Sequence, residues 1–421
     1  MLFQMVEVPR QTAQGLRAPG RLDRLVADPP RLAVLALCAA ILALRRAGAL
    51  TNPQFWAEDA YFFQRAYVLG WRSFLESYAG YLHTVMRIIA EAAVCIDPSR
   101  APAIFVACAG AATLYVAGRA LSERCPFPRL AGAFALAVVL VPDTFEVFLN
   151  DVNLQWVLAA GLVLLLISRD PRGGRQWSHD VAAAVLTGLT GPFCVILAPL
   201  FAWRAWNRRT RASAVLAAII LACALVQAYC FATEPAIAGA AAPADPRIEA
   251  QLFLPAIARR VGGSVLLGSL MATDTDLYVG TAMGIATLAG VGYMAFRRGP
   301  LRQERVLLGL AFAATLLGAF LRTRHTMDGF FEPHVASRYV YIPQLAVIWL
   351  LLLTAGRTGL AGRLAAALLV LSVAANIPRL REPAYADLHW ELYSPRIRAG
   401  ERVVIPVNPP GWRMTLPARR K

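Results

Sequence analysis

Lysine is nearly missing from this chain: Lys421 is the only one, so arginine supplies almost all of the 42 basic residues. Charge of either sign is also sparse, at 16% of residues, and it collects in gaps between apolar runs. The seven cysteines (Cys38, Cys95, Cys108, Cys125, Cys194, Cys223, Cys230) include no CxxC and fall mostly inside apolar runs. That spacing indicates neither a zinc site nor a disulfide framework. Glycine-rich phosphate loops, nucleophile elbows, HExxH and kinase signatures are absent, which removes cytosolic nucleotide hydrolysis from the classes to consider. The N-terminal arginines precede an apolar run with no cleavage pattern, so that run reads as a span and not as a signal peptide.

What is present is apolar. Hydrophobic residues make up 58% of the 421 positions and the mean hydropathy is +0.52. Runs of about 14 to 22 apolar residues recur throughout, the pattern of a multi-span membrane protein. A net charge of +16 could point to nucleic acid. In such a chain, however, an arginine excess marks cytoplasmic loops, and no nucleic-acid partner is expected.

The expected fold is an all-α integral membrane protein of about eleven transmembrane helices. Residues 1–30, with Arg10, Arg17, Arg21 and Arg24, read as a cytoplasmic lead, 31–376 as the membrane domain and 377–421 as a short periplasmic tail. Arg45 and Arg46 close the first span, as interface anchors or as phosphate contacts. The Gly188–Pro192 break splits 181–203 into a hairpin of two short half-spans, because proline lacks a donor and glycine frees the backbone. Basic loops at 169–177, 203–211, 297–305 and 356–363 go to the cytoplasm. The segments 51–100, 143–153, 233–278 and 322–338 then face the other side, together with the tail. This requires residues 82–96 to be a surface helix. His83, Arg87 and Glu91 at i, i+4, i+8 give it one polar face, so 51–100 carries two amphipathic juxtamembrane helices.

Four polar groups land on that outer side. The first is Glu58-Asp59 within Trp56-Ala-Glu-Asp-Ala-Tyr-Phe-Phe63. Carboxylates beside aromatic rings suit a general base, or a helix N-terminus whose acids complement the dipole. Successive helical residues diverge by about 100°, so one acid reacts and the other orients; the reacting role is given to Asp59. The second is Asn150, Asp151, Asn153 and Gln155, which suits metal or acceptor binding, or simply a capped turn. The third runs from Arg322 to Tyr341 and holds Arg324, His325, Asp328, Glu332, His334 and Arg338. It suits a lipid-linked phosphate or plain headgroup anchoring, while its His and acid spacing matches no tight metal motif. The fourth, 233–278 with Asp274 and Asp276, reads as an outer loop with a short surface helix, a lid.

On these residues the chain resembles the membrane-embedded glycosyltransferases of the C superfamily. The matching features are a large first outer loop with two surface helices and the Glu58-Asp59 pair, a second acidic outer loop at Asn150-Asp151, an Arg/Tyr-rich late outer loop and a polar tail. Trp56-Ala-Glu58-Asp59 followed by Tyr78-Ala-Gly80-Tyr81-Leu-His83 looks like a pattern in bacterial members. The tail is short, where many members carry a large soluble domain.

The resemblance implies transfer of a sugar from a polyprenyl-phosphate carrier to a glycan or lipid acceptor of the cell envelope, at the periplasmic side of a bacterial inner membrane with the N-terminus cytoplasmic. Asp59 would be the base, with Glu58 assisting, and Asp151, the third catalytic acid, would help with the acceptor or a metal. Arg87, His83, Arg324, Arg338 and Tyr341 would hold the carrier phosphate, with Asn150, Asn153, Gln155, His325 and His334 supporting the acceptor or the loops. Some members use a divalent cation, Mg or Mn, which here would fall to Asp59 and Asp151. Rival classes are a lipid-linked glycan flippase or transporter, a glycan polymerase or ligase, and a structural membrane protein.

Overall fold

The computed structural model describes residues 31–234, 246–268, 277–323, 330–331 and 335–419. A chain this apolar satisfies its backbone most cheaply within each segment, and helices dominate accordingly. In chain order these are α1 (Arg31–Arg45), α2 (Ala47–Thr51), α3 (Asp59–Leu69), α4 (Thr84–Ile96), α5 (Ala101–Ala120) and α6 (Ala131–Leu140). Next come α7 (Leu154–Ile167), α8 (Gly174–Gly188), α9 (Phe193–Arg208), α10 (Arg211–Thr233), α11 (Pro246–Ile257) and α12 (Ser264–Leu267). The last are α13 (Leu277–Phe296), α14 (Arg302–Thr323), α15 (Ser337–Ala355), α16 (Leu360–Asn376) and α17 (Trp390–Arg398). Side-chain caps set some starts: Asp97 accepts from the Ser99 amide (3.0 Å) ahead of α5, and Thr210 accepts from the Ser213 amide (3.2 Å) ahead of α10.

Among the described residues, six helices are long and apolar enough to cross a membrane: Pro98–Ala120, Arg211–Thr233, Leu277–Phe296, Arg302–Thr323, Ser337–Ala355 and Leu360–Arg379. The expected count of about eleven therefore drops to six on length and composition. Among the described residues, α6 and α7 are shorter apolar helices. The almost fully buried α7 and α15 make the centre of the bundle, whereas α13 and α16 expose most of their apolar surface. Gly191 (φ +83°) turns the chain at the expected Gly188–Pro192 break, but the two flanking helices, α8 and α9, are longer than half-spans and pack mainly against α10.

The two ends differ in chemistry. One gathers the basic loops: Arg204 donates to Asp170 (2.7 Å), Arg208 lies 3.7 Å from Glu304, and Arg119 and Arg124 flank Asp180 at 3.2 and 2.5 Å. The other gathers the segments 52–59, 78–83, 143–153, 187–192, 335–338 and 380–408. The helix α4 stays at this second end. Its first turn is tied to Leu189 and Thr190, and the Asp97–Ser99 turn behind it receives Trp390 and Arg398.

Three expectations need correction. The fold is not wholly helical: β1 (Val403–Val407) and β2 (Trp412–Leu416) pair antiparallel, Val403 opposite Leu416. The tail folds back as part of the body, with Gln64 of α3 donating to the Thr415 carbonyl (2.7 Å) and Arg419 donating to the Tyr67 carbonyl (2.8 Å). Arg45 and Arg46 are not interface anchors, being 2% and 3% exposed. Arg45 donates to the Val139 and Val141 carbonyls and to Glu382 (2.9, 2.8 and 2.9 Å), and Arg46 donates to the Phe145 carbonyl (2.9 Å) and to Tyr385. The guanidiniums that end the first helix are thus held by a loop and a tail far away in sequence. In the segment 233–278, residues 235–245 and 269–276 lie outside the described residues, Asp274 and Asp276 among them. What is described packs into the bundle, with Pro255 against Gly280 and Leu254 against Gly284.

Candidate functional site

The chain enters α3 through Ala57, held at φ +40°. Its amide donates to the Asn408 carbonyl and the Asn408 amide donates to Phe55 (3.3 Å). Asn408 is itself bracketed to Ala386 by two side-chain hydrogen bonds of 3.0 Å. The indole of Trp56 stacks on Tyr385 at 4.6 Å. Tail residues therefore fix the angle at which Glu58 and Asp59 leave the turn.

From there the acids part. Asp59 is 2% exposed and points inward. One oxygen accepts from the Asp151 and Val152 amides (3.1 and 2.7 Å), and the other accepts from the Trp56 amide (3.3 Å). Glu58 is half-buried and faces out, hydrogen-bonded by the Tyr78 hydroxyl and within electrostatic reach of Arg338. Arg338 closes the group by donating to Glu146 (2.6 Å), while Ser337 Oγ accepts from the Glu146 amide (3.2 Å). Asn150 and Asn153 both donate to the Glu146 carbonyl (2.5 and 2.8 Å), so these two asparagines build the 146–153 turn. Gln155 donates to the Val152 carbonyl (3.3 Å) in the same turn.

Residues far apart in sequence thus meet at one end: Glu58 and Asp59, then Glu146 and Asp151, then Arg338. Positive φ at non-glycine residues marks the same places, with Ala57 (+40°) before Glu58, Ala79 (+54°) after Tyr78, Leu149 (+55°) before Asn150-Asp151 and Ala336 (+58°) before Arg338. Such conformations cost of order 1–3 kcal/mol each and persist where surrounding contacts hold them, commonly at functional sites.

Electrostatically the buried pair is unusual. Burial pushes the Asp59 carboxyl up to about 7, Glu58 adds to the rise, and the three amide contacts oppose it. Asp151, 0% exposed, is raised well above the usual carboxylate range by burial and by Asp59, and neither of its oxygens has a hydrogen-bond partner. Burial therefore biases both carboxyls toward their protonated forms. They do not fit a divalent cation. The Asp59 oxygens are already turned to amide donors, whereas Mg or Mn needs several converging oxygens.

Other expected site residues are placed elsewhere. His83 (2% exposed) packs among Phe62, Tyr78 and Tyr81, and burial holds its imidazole down to about 4, so it is neutral. Arg87 (1% exposed) donates to the Glu76 carbonyl (2.7 Å) and lies over the Phe62 ring. Tyr341 is fully buried and donates to the Val138 carbonyl (2.9 Å). These three stabilise the scaffold and present no group to an incoming phosphate. Arg324, His325 and His334 lie outside the described residues, as do Asp328 and Glu332.

Sequence reading missed Glu146 and Tyr385. Glu146 sits two residues before the Phe148–Trp156 knot, in a Phe-Glu-Val-Phe run that looks like ordinary packing. Tyr385 comes from a tail with no local periodicity. No protein-family model, curated protein or solved structure matches this chain.

Proposed function

We propose that this chain is a glycosyltransferase that moves a sugar from a polyprenyl-phosphate carrier to an envelope acceptor, at the acidic end of the helical bundle. One observation carries the reading: three sequence-distant segments bring a half-exposed carboxylate, two buried acids and a guanidinium to one end of an apolar helical body. The resemblance at Trp56–Asp59 and Tyr78–His83 adds to it.

In this reading the basic end faces the cytoplasm of a bacterial inner membrane and the acidic end faces the periplasm. Glu58 is the base, because it is the acid that solvent and an acceptor can reach. It takes the proton of the acceptor hydroxyl as that oxygen forms a bond to the anomeric carbon, and the carrier phosphate leaves with the bonding electron pair. The carrier bond is already activated, so positioning and electrostatics suffice. Arg338 and Arg322, the latter within electrostatic range of Tyr81, offset the charge developing on the phosphate. Tyr61, Tyr78, Tyr81 and Tyr339 are partly exposed around this cluster and suit sugar stacking. Asp59 acts by pinning the 151–152 backbone to α3.

The test is the carbohydrate profile of the envelope in a deletion strain complemented with wild type or with Glu58→Gln. Loss of one decoration, restored by wild type and not by Glu58→Gln, supports transfer. Intact lipid-linked sugar trapped on the cytoplasmic face would favour translocation, and an unchanged profile would end the proposal.

A further inference from the structure

At the basic end, far from the Glu58 cluster, the loop 297–301 between α13 and α14 meets the loop 356–359 between α15 and α16. Together with the first turn of the helix that follows each, these loops carry six arginines and one acid, Glu304. Glu304 already faces Arg208 of α9 at 3.7 Å. Arg357 rests on the first loop: a Cβ at Gly299 would lie 2.9 Å from its Nη1 and 3.0 Å from its Nη2, and Gly299 itself sits at φ +126°. Arg305, 3% exposed, turns back from α14 and donates to the Pro300 and Arg297 carbonyls. Arg357, Arg297 and Arg302 all act on it as like charges within electrostatic range, with Glu304 opposing them.

The donors at this junction go unused. Arg305 Nε, Arg297 Nη1, Arg357 Nη1 and Gln303 Nε2 are sealed from solvent, and none has a hydrogen-bond partner among the described residues. Among those residues, no carboxylate forms an ion pair with Arg297, Arg305 or Arg357 either. The neighbouring guanidiniums of the same end are matched, Arg204 by Asp170 and Arg124 by Asp180. Buried donors are nearly always satisfied, and buried charge needs a counter-charge, so this group is incomplete without an anion. The helix α14 begins inside the cluster, and its N-terminal amides favour the same sign of ligand.

We infer that a phosphate group binds at this junction, held by Arg297, Arg305 and Arg357 and carried by an anionic lipid headgroup or by a soluble phosphate. Arginine suits a phosphate because its fork stays charged and offers paired donors. The bound group ties the α13–α14 loop to the α15–α16 loop and offsets the repulsion among their arginines. Phosphate retention is measured without any sugar transfer, so this inference and the proposed function fail separately.

The experiment is native mass spectrometry of the full chain from nanodiscs containing equal phosphatidylglycerol and phosphatidylcholine, with and without added inorganic phosphate. The expected result is retention of phosphatidylglycerol or of phosphate in preference to phosphatidylcholine, weakened about tenfold in Arg297→Gln/Arg357→Gln. Both of those positions are half-buried, so the variant leaves the buried Arg305 in place. The control Arg402→Gln/Arg413→Gln, which changes two exposed arginines of the hairpin, should leave retention unchanged. Phosphatidylglycerol that persists against added phosphate identifies a lipid headgroup, and its displacement by phosphate identifies a soluble ligand; either supports the site. Equal retention of phosphatidylcholine with no phosphate bound, undiminished retention by the loop variant, or an equal loss in the control overturns it.

Discussion

The two ends of this bundle both bury carboxylates, but they treat them differently. At the basic end each one meets guanidiniums: Asp170 faces Arg204 and Arg208, and Asp180 faces Arg119 and Arg124. At the acidic end the ion pairs go to Glu146, Asp143 and Glu382. Asp59 and Asp151 have no arginine within ion-pair distance among the described residues. An acid held by two arginines is a fixed charge and serves cohesion. An acid held by burial and amides is instead biased toward its protonated form.

The sharpest way to break this contrast is to remove one acid from each end. Glu58→Gln should lower sugar transfer by about 10²–10⁴ and leave thermal stability in detergent unchanged. Asp180→Ala should do the reverse: it strands two buried arginines, should cost roughly 3–5 kcal/mol, and should leave the residual folded fraction active. Inactive but stable Asp180→Ala would erase the distinction between the ends.

Asp59→Ala sharpens it further. Three amides lose their acceptor, at roughly 1–3 kcal/mol for each one left unsatisfied, so stability should fall along with transfer. Asp59→Asn keeps an oxygen and should recover part of both. A stable but dead Asp59→Ala would return the base role to Asp59.

The pH dependence gives a smaller effect with a definite sign. Asp59 is raised in the folded state from an ordinary 3.8 to about 7, so its contribution to stability falls as pH rises between those values. His83 is lowered from 6.5 to about 4, so its contribution is lost as pH falls through that window and returns as pH rises. The two oppose one another in the wild type. Asp151, raised by burial and by Asp59, also loses stability as pH rises, so in Asp151→Asn the melting temperature should fall less, or rise more, between pH 4 and 6.5 than in the wild type. A wild-type-like profile in that variant would mean that Asp151 contributes nothing to the pH dependence.

The smallest expected effect lies at the tail, where Arg419→Ala loses a cation–π contact (3.8 Å to the Tyr67 ring centroid) and one hydrogen bond, about 1 kcal/mol.

Much of the architecture was legible beforehand. Positive-inside counting and the polar face of His83, Arg87 and Glu91 both required α4 to lie along one end; its first turn meets Thr190, and the turn that follows it meets Trp390. The same polar face misled about the site. Helical spacing shows that His83 and Arg87 share a side of α4, but it does not show that Phe62, Tyr78 and Glu76 cover that side. Likewise, 100° of helical rotation demanded that Glu58 and Asp59 point apart, and they do, one buried and the other half-exposed. Which one turns inward was set by amides of residues 151 and 152, about 90 positions away.

The sequence by itself determined the helical, apolar body, the sorting of charge into its gaps and the separation of the acid-bearing loops from the arginine-rich ones. Those follow from composition and short-range periodicity, because a backbone in an apolar medium must bond to itself and an unpaired charge must stay out. The tertiary structure alone decided that Asp59 is sealed while Glu58 is reachable, that Glu146 meets Arg338, and that the tail sets the turn before the acids. Those are meetings of distant segments. Burial, hydrogen-bond partners and protonation belong to the folded surroundings of a residue and not to its neighbours in the chain.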